Sequence, residues 1–237
     1  MLDYMKLLVC DLENTLIKNM SIWEKINKNL GNIDHELYEE FINNKITYSE
    51  WCKKLSFFHN FIKSNEFFTE ISLYEIAWNN MKPYEGAKEF VKKAKEKGYT
   101  TLLISGGIEK QSLLASEIFE FDEFIPTNKI KIKEEFKIIP CKFGFNKEKA
   151  LHNYCKNNCI PIKNVVGVGD SDNDISMLEF IVKNGGKSFL INPSKRIFFK
   201  NGKYYVKLNE HEKEINKNIT ILNNLPLKNY NKILSQL

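Results

Sequence analysis

The 237-residue chain is 43% hydrophobic and 27% charged, a globular balance that excludes disordered or collagen-like chains and allows one sizeable core with a smaller accessory unit. Its net charge of +5 rests almost wholly on lysine, Arg196 being the sole arginine, and without a basic stripe it predicts no nucleic-acid partner. No apolar run approaches the roughly 18 residues of a membrane span. No basic leader precedes the first apolar run, and five cysteines show no framework spacing, so we expect a cytoplasmic protein with reduced thiols and no membrane partner.

In chain order, the apolar run at residues 5–10 stops abruptly at Asp11, as a buried parallel strand does when it opens into a loop. From there to residue 81 the pattern is helical. Ser21 and Glu24 form a capping box ahead of Ile22, Trp23, Ile26 and Leu30, with Gly31 as the stop, and Asp34 is placed to cap a second helix. Thr47 with Glu50 predicts another helix start, and Ser72 with Glu75 a further one. The aromatic run Phe57, Phe58, Phe61, Phe67 and Phe68 is expected to form the core of this helical insertion. Lys53, Lys54 and His59 are candidates for meeting a second anionic group, against the simpler reading of exposed charge.

After Pro83 the chain alternates. A helix runs to Lys97 and is closed by Gly98, a strand covers Tyr99 to Ile104, and Gly106-Gly107 opens a helix carrying Leu113, Leu114 and Ile118. Residues 128–139 alternate as a hairpin does, and 146–158 return to helix before Pro161. Val165 to Val168 form a strand ending at Asp170, a helix runs to Gly185-Gly186, a strand covers 188–191, and Asn201-Gly202 marks a hairpin turn. The rhythm predicts an α/β fold, a doubly wound parallel sheet over residues 1–16 and 82–237, with a small helical cap at 17–81. Ligands of such sheets bind beyond the carboxyl ends of the strands, which places Asp11, Ser105 and Asp170 on one rim.

The rim residues suit phosphoryl chemistry. A phosphate monoester repels nucleophiles, so its cleavage needs a nucleophile, a cation and an acid for the leaving oxygen. Asp11 supplies a carboxylate nucleophile and Glu13, two residues on, an acid and base. Asp11 and Asp170 offer hard oxygens suited to Mg²⁺. Ser105 with the backbone N–H groups of Gly106 and Gly107 is placed to cradle phosphate, and Lys147, opening a helix after Asn146, to add positive charge. His152, Cys155 and Cys159, with Cys141, offer four donors for zinc, but they lack a close cysteine pair and core packing is the simpler reading. Cys10 reads as a buried strand residue and Asp172 as a loop carboxylate.

The segments Asp11-Leu-Glu-Asn-Thr15, Ser105-Gly-Gly107, Lys147 and Gly169-Asp-Ser-Asp-Asn-Asp174 resemble, in order, the four motifs of haloacid dehalogenase superfamily phosphatases. Lys82-Pro-Tyr-Glu-Gly-Ala87 and the distance from Lys147 to Asp170 are similar to the phosphoserine phosphatase branch. The resemblance implies a Rossmann-like core with a helical cap and Mg²⁺-dependent hydrolysis of a small-molecule phosphomonoester through an aspartyl phosphate. It implies Asp11 as nucleophile and Glu13 as acid and base, with Asp11, Asp170 and the Glu13 backbone carbonyl on the metal. Ser105, Gly106, Lys147 and Asn173 would bind substrate phosphate, and Asp174 would stand behind the metal ligands.

The sequence departs from that branch at three points. Glu13 replaces the usual aspartate, Met20 stands where an acidic residue meets the substrate amine, and no arginine occurs in the cap to grip a carboxylate. L-Phosphoserine is therefore expected to be a poor substrate. Transfer of phosphate to an alcohol acceptor and a catalytically silent phosphate-binding module stay open as alternatives. Dehalogenation, which needs neither metal nor an acid at Glu13, does not fit.

Overall fold

The computed structural model describes residues 5–18, 21–28, 30–62, 70–132, 135–208, 211–223 and 226–237. Strand β1 (Lys6–Cys10) lies at the centre of a seven-stranded sheet, with β5 (Val165–Gly169), β6 (Lys187–Ile191) and β10 (Thr220–Leu222) on one side. On the other side are β2 (Tyr99–Ile108), β3 (Glu123–Ile132) and the edge strand β4 (Phe136–Pro140). All neighbours are parallel except β3 and β4. The chain fills one flank after β1 and the other from β5 onward, so the strand order reverses beside β1, where a doubly wound sheet opens its binding crevice.

Side chains alternate across β1, and both faces are covered. Leu8 and Cys10 face a core shared with Phe90 and Val91 of α5 (Ala87–Glu96), Phe119 of α6 (Glu109–Phe119) and Tyr230 of α9 (Pro226–Leu234). Leu7 and Val9 face Leu151 of α7 (Lys147–Asn157) and Leu178 and Ile181 of α8 (Ile175–Lys183). Helix α5 buries Ala87, Phe90, Val91 and Ala94, one apolar stripe of an otherwise charged helix. Tyr230 stacks on Phe90 and donates its hydroxyl to the Thr15 carbonyl at 2.6 Å, tying the last helix to the loop after β1.

Between that loop and residue 82 lie α1 (Ile22–Ile26), α2 (Asn32–Ile42), α3 (Tyr48–Ile62) and α4 (Glu70–Asn79). The chain leaves and re-enters side by side. Lys18 N–H donates to the Lys82 carbonyl at 2.8 Å, and Tyr84 N–H to the Leu16 carbonyl at 2.9 Å. The helices share an apolar cluster with β3, β4 and α6, in which Ile22, Trp51, Leu55 and Leu73 meet Ile108, Leu114 and Phe136.

Several local expectations change. Strand β2 runs on through Gly106 and Gly107 to Ile108, with an irregular register after Ser105, so α6 begins at Glu109 and not at the glycines. The hairpin at 128–139 is present as β3 and β4, but β3 starts at Glu123 because its first half pairs in parallel with β2. Gly31, at φ +58°, precedes α2, and Asp34 lies inside the first turn. Ser72 lies inside α4, which extends upstream to Glu70. Phe57 and Phe61 stack on each other at the exposed surface of α3 and do not enter the core, while Phe58 packs against the helical cluster. Phe67, Phe68 and Met20 lie outside the described residues.

The three-stranded sheet of β7 (Ile197–Lys200), β8 (Lys203–Leu208) and β9 (His211–Glu214) turns at Asn201-Gly202, both residues having positive φ as a two-residue hairpin requires. No helix among the described residues is long and apolar enough to cross a membrane.

Candidate active site

Asp11 is the first residue past β1, and its N–H donates to the Val168 carbonyl of β5 at 2.9 Å. Asp170 follows β5 directly, so two adjacent strands deliver two buried carboxylates to one point. Asp174 completes the group, with one donor oxygen from each of the three within 4.8 Å of the others. Lys147 enters from the first turn of α7, which Asn146 caps by accepting the Lys149 N–H. Its ammonium, on a residue only 1% exposed, lies 2.6 Å from Asp11 Oδ1 and 2.6 Å from Asp174 Oδ1.

Asp174 is also fixed from behind. Its Oδ2 accepts the N–H groups of Asp170 at 3.2 Å and Ser171 at 3.1 Å. Gly169 permits this, since a Cβ there would stand 2.6 Å from Asp174 Cγ. Ser171 donates its hydroxyl to Asn173 Oδ1 at 2.8 Å, which sets the Asn173 amide at the cavity edge. Asp170 differs: neither of its carboxylate oxygens receives a hydrogen bond among the described residues.

Burial raises the pKa of Asp11 to about 7, with Lys147 opposing the shift and Asp174 adding to it. Asp170 is pushed well above the usual carboxylate range by burial and by Asp11. Lys147 is shifted against its own desolvation toward the charged form by Asp11 and Asp174. One ammonium does not neutralise three crowded carboxylates, and no donor among the described residues reaches the Asp170 carboxylate. That donor set, hard oxygens with unmet negative charge, fits a divalent cation held by Asp11 and Asp170.

Glu13 lies on the outer side. Its Oε1 accepts the Ile22 N–H of α1 at 2.7 Å and the Gln111 amide of α6 at 3.2 Å. Burial raises its pKa, and these two hydrogen bonds oppose the shift. Gly107 leaves room for this arrangement, because a Cβ there would meet Gln111 Oε1 at 2.4 Å.

Ser105 is fully buried and accepts the Gly107 N–H at 3.1 Å, so this N–H is already engaged. Gly106 lines the cavity, and its carbonyl accepts Thr127 Oγ1 and Trp23 Nε1, each at 3.0 Å. Gln111 and Thr127 were not singled out from the sequence, and Trp23 was read only as an apolar position of its helix. Each is a lone polar or aromatic residue on a different element, and no spacing pattern joins them.

A cavity of about 580 Å³ rises from Asp11, Glu13, Asp170 and Asn173 into the helices. Asn27, Tyr38 and Trp51 form part of its far wall. Lys53, Lys54 and His59 do not line it: Lys54 pairs with Glu40 at 2.8 Å, and His59 is buried against the Phe136 ring. Asp172 pairs with Arg196 at 3.2 Å. Among the described residues, the aspartate cluster is the one group of three or more His, Cys, Asp or Glu side chains gathered closely enough to share a metal; Cys141, Cys155 and Cys159 are free.

Comparison with known proteins bears on this geometry. Phosphoserine phosphatase of Methanocaldococcus jannaschii is 27% identical over 180 residues, covering 73% of this chain and 81% of that protein. Its counterpart from Archaeoglobus fulgidus is 26% identical over 182 residues, 73% of this chain and 50% of that protein. Among solved structures, a phospho-aspartyl intermediate analogue of phosphoserine phosphatase superposes with a TM-score of 0.62 at 22% identity, covering 81% of this chain and 88% of that one. Phosphoserine phosphatase from T. onnurineus in complex with NDSB-201 gives 0.62 at 19% identity over 98% and 96% of the two chains. These structures share the fold. Residues 5–180 match the haloacid dehalogenase-like hydrolase family, and the chain belongs to it.

Proposed function

We propose that the protein is a phosphoric monoester hydrolase that cleaves small-molecule phosphate esters by forming and then hydrolysing an aspartyl phosphate on Asp11. The observation that carries this reading is the gathering of Asp11, Asp170 and Asp174, two of them paired with Lys147, at the end of a cavity that Asp11, Glu13 and Asp170 line. The names of the curated relatives point the same way.

Asp11 attacks phosphorus through its carboxylate, and the bond from phosphorus to the ester oxygen breaks. The departing oxygen takes a proton from Glu13, whose burial favours the protonated form needed at that moment. Water then attacks the phosphorus of the acyl phosphate and yields a proton to Glu13, and the bond between phosphorus and Asp11 breaks to release inorganic phosphate. Lys147 holds Asp11 and contributes positive charge where the phosphoryl oxygens gather. Mg²⁺, held by Asp11, Asp170 and the Glu13 backbone carbonyl, would supply charge neutralisation for the phosphoryl group. Asn173 and the Gly106 backbone are the groups at the cavity edge that would contact phosphate oxygens.

Residues 17–81 act in this reading as a cap that excludes water. Its support is the paired crossing at Leu16–Lys18 and Lys82–Tyr84, and the bond from Trp23 of α1 to Gly106 of β2. The test is turnover of p-nitrophenyl phosphate with and without Mg²⁺, in wild type and in Asp11→Asn. We expect metal-dependent release of phosphate that Asp11→Asn abolishes while the circular dichroism spectrum stays native. Turnover by Asp11→Asn near the wild-type rate would end this assignment.

A further inference from the structure

Glu13 carries one methylene more than the usual aspartate, and its longer reach ends on donors that belong to two other elements. Its Oε1 accepts the Ile22 N–H at the head of α1 at 2.7 Å and the Gln111 amide of α6 at 3.2 Å. A carboxylate drawn back by one carbon–carbon bond, about 1.5 Å, would lose the longer of these contacts. Gln111 is fully buried among Ser112, Leu114 and Ala115, the other buried residues of that part of α6, where an apolar side chain would leave no polar group unmet. Its own Oε1 has no partner among the described residues. Only a glycine at 107 leaves it space, since a Cβ there would stand 2.4 Å from that oxygen. A buried amide with an unmet acceptor works against stability, so what this residue contributes is the donor it gives to Glu13.

The two N–H groups also distinguish the oxygens of Glu13. An oxygen that accepts from two N–H donors is a poor seat for a proton, and neither donor is bonded to Oε2. The Ser21 side chain bonds the carboxylate as well, and a hydroxyl can donate or accept as the charge beside it changes. Glu13 lines the cavity together with Asp11 and Asp170. We infer that Gln111 is a positioning residue: with the Ile22 N–H it holds Oε1 of the longer Glu13 side chain, which leaves Oε2 to serve the reaction as acid and base. In the first step the ester oxygen keeps the electron pair of its broken bond to phosphorus and gains the Oε2 proton. In the second the attacking water returns a proton to Oε2. Gln111 touches no reacting atom and acts through Glu13 alone.

This inference rests on the phosphatase reading, and its test separates the two. The full chain with Mg²⁺ is given phenyl phosphate and p-nitrophenyl phosphate, which share a ring and differ in how much the departing phenolate needs a proton. Gln111→Met keeps the length of the side chain and removes its N–H. It should lower kcat/KM for phenyl phosphate by about tenfold, a fraction of the full worth of a general acid, and for p-nitrophenyl phosphate by less than about twofold. In Glu13→Gln, which has no proton to give, the ratio of phenyl to p-nitrophenyl kcat/KM is already low. Adding Gln111→Met should lower it no further, as for residues that act through one another. Gln111→Asn, which keeps the amide but draws it back, should lower the wild-type ratio too and takes the place of Gln111→Met if that variant is unstable. A ratio unchanged by these variants, with both esters slowed alike or not at all, makes Gln111 a packing residue and overturns the inference, while Asp11-dependent turnover of p-nitrophenyl phosphate upholds the phosphatase. Absence of Asp11-dependent turnover with both esters overturns both.

Discussion

Two residues at the floor of the site give opposite responses to removal of their charge. Glu13 accepts hydrogen bonds at Oε1 from the Ile22 N–H and the Gln111 amide, and the Ser21 side chain also bonds its carboxylate. Glutamine in its place can still accept the two N–H bonds through its amide oxygen. Glu13→Gln should therefore fold normally yet turn over about 10² to 10⁴ more slowly, the usual worth of a general acid and base, and steady-state kinetics with an aryl phosphate would measure it. Lys147 has no such substitute. Lys147→Met leaves two buried carboxylates facing each other without their cation, and urea unfolding in the absence of divalent metal should show a loss of roughly 3–5 kcal/mol, as for broken buried ion pairs. A loss below about 1 kcal/mol would mean that these carboxylates are protonated in the metal-free protein. The proximity of Asp11, Asp170, Asp174 and Lys147 was legible in the sequence because ordered short motifs at strand and helix ends constrain one another. The groups that hold Glu13 and Gly106 in place were not, since Gln111, Thr127 and Trp23 owe their positions to packing between elements.

Among the elements, the helical segment was legible where caps act locally. Thr47 and Glu50 form the reciprocal box, with Thr47 N–H donating to Glu50 Oε2 at 2.7 Å and Glu50 N–H to Thr47 Oγ1 at 3.2 Å. It was less legible where helices meet the sheet, as in the surface stack of Phe57 and Phe61, because a helix packed on β4 buries a different face from one packed in an isolated bundle. His59 of α3 shows what that contact does to a titratable group. Burial lowers its pKa to about 4, and its ring nitrogen lies 2.7 Å from Asn27 Oδ1. The unfolded chain takes up this proton near pH 6.5 and the folded chain only near 4, so stability from this residue is present above 6.5 and is lost as pH falls toward 4. The full loss is about 3 kcal/mol. Urea midpoints should fall more steeply between pH 6.5 and 4 in wild type than in His59→Gln, and parallel curves would refute the assignment. Arg196 bridges Asp172 of the site loop to Glu39 of α2 and packs over the Tyr38 ring. Because the arginine is about one-third exposed, Arg196→Met should cost only about 1 kcal/mol or less in overall stability. Hydrogen exchange in α2 should nonetheless quicken, since the bridge spans two parts of the chain.

For the whole molecule, alternating strand and helix signals were enough to foresee the doubly wound sheet. They did not reveal its far flank, where β10 is only three residues long and α9 is tied in by long-range contacts such as Tyr230 with Phe90 and Thr15. The sheet also makes the acidic cluster a matter of global stability. Asp11 and Asp170 belong to the loops that close the two central strands, so like charge held there works against the native fold and is released on unfolding. A divalent ion bound by these carboxylates favours the folded chain alone. At a concentration about 100 times its dissociation constant it adds about 2.7 kcal/mol, which for a chain of this size raises the melting temperature by roughly 5–10 °C. Calorimetry of wild type with increasing Mg²⁺ should show that rise. Asp170→Asn should start from an equal or higher melting temperature without metal, because one of the crowded charges is gone, and should respond to Mg²⁺ far less. A rise of the same size in Asp170→Asn would place the ion elsewhere on the protein.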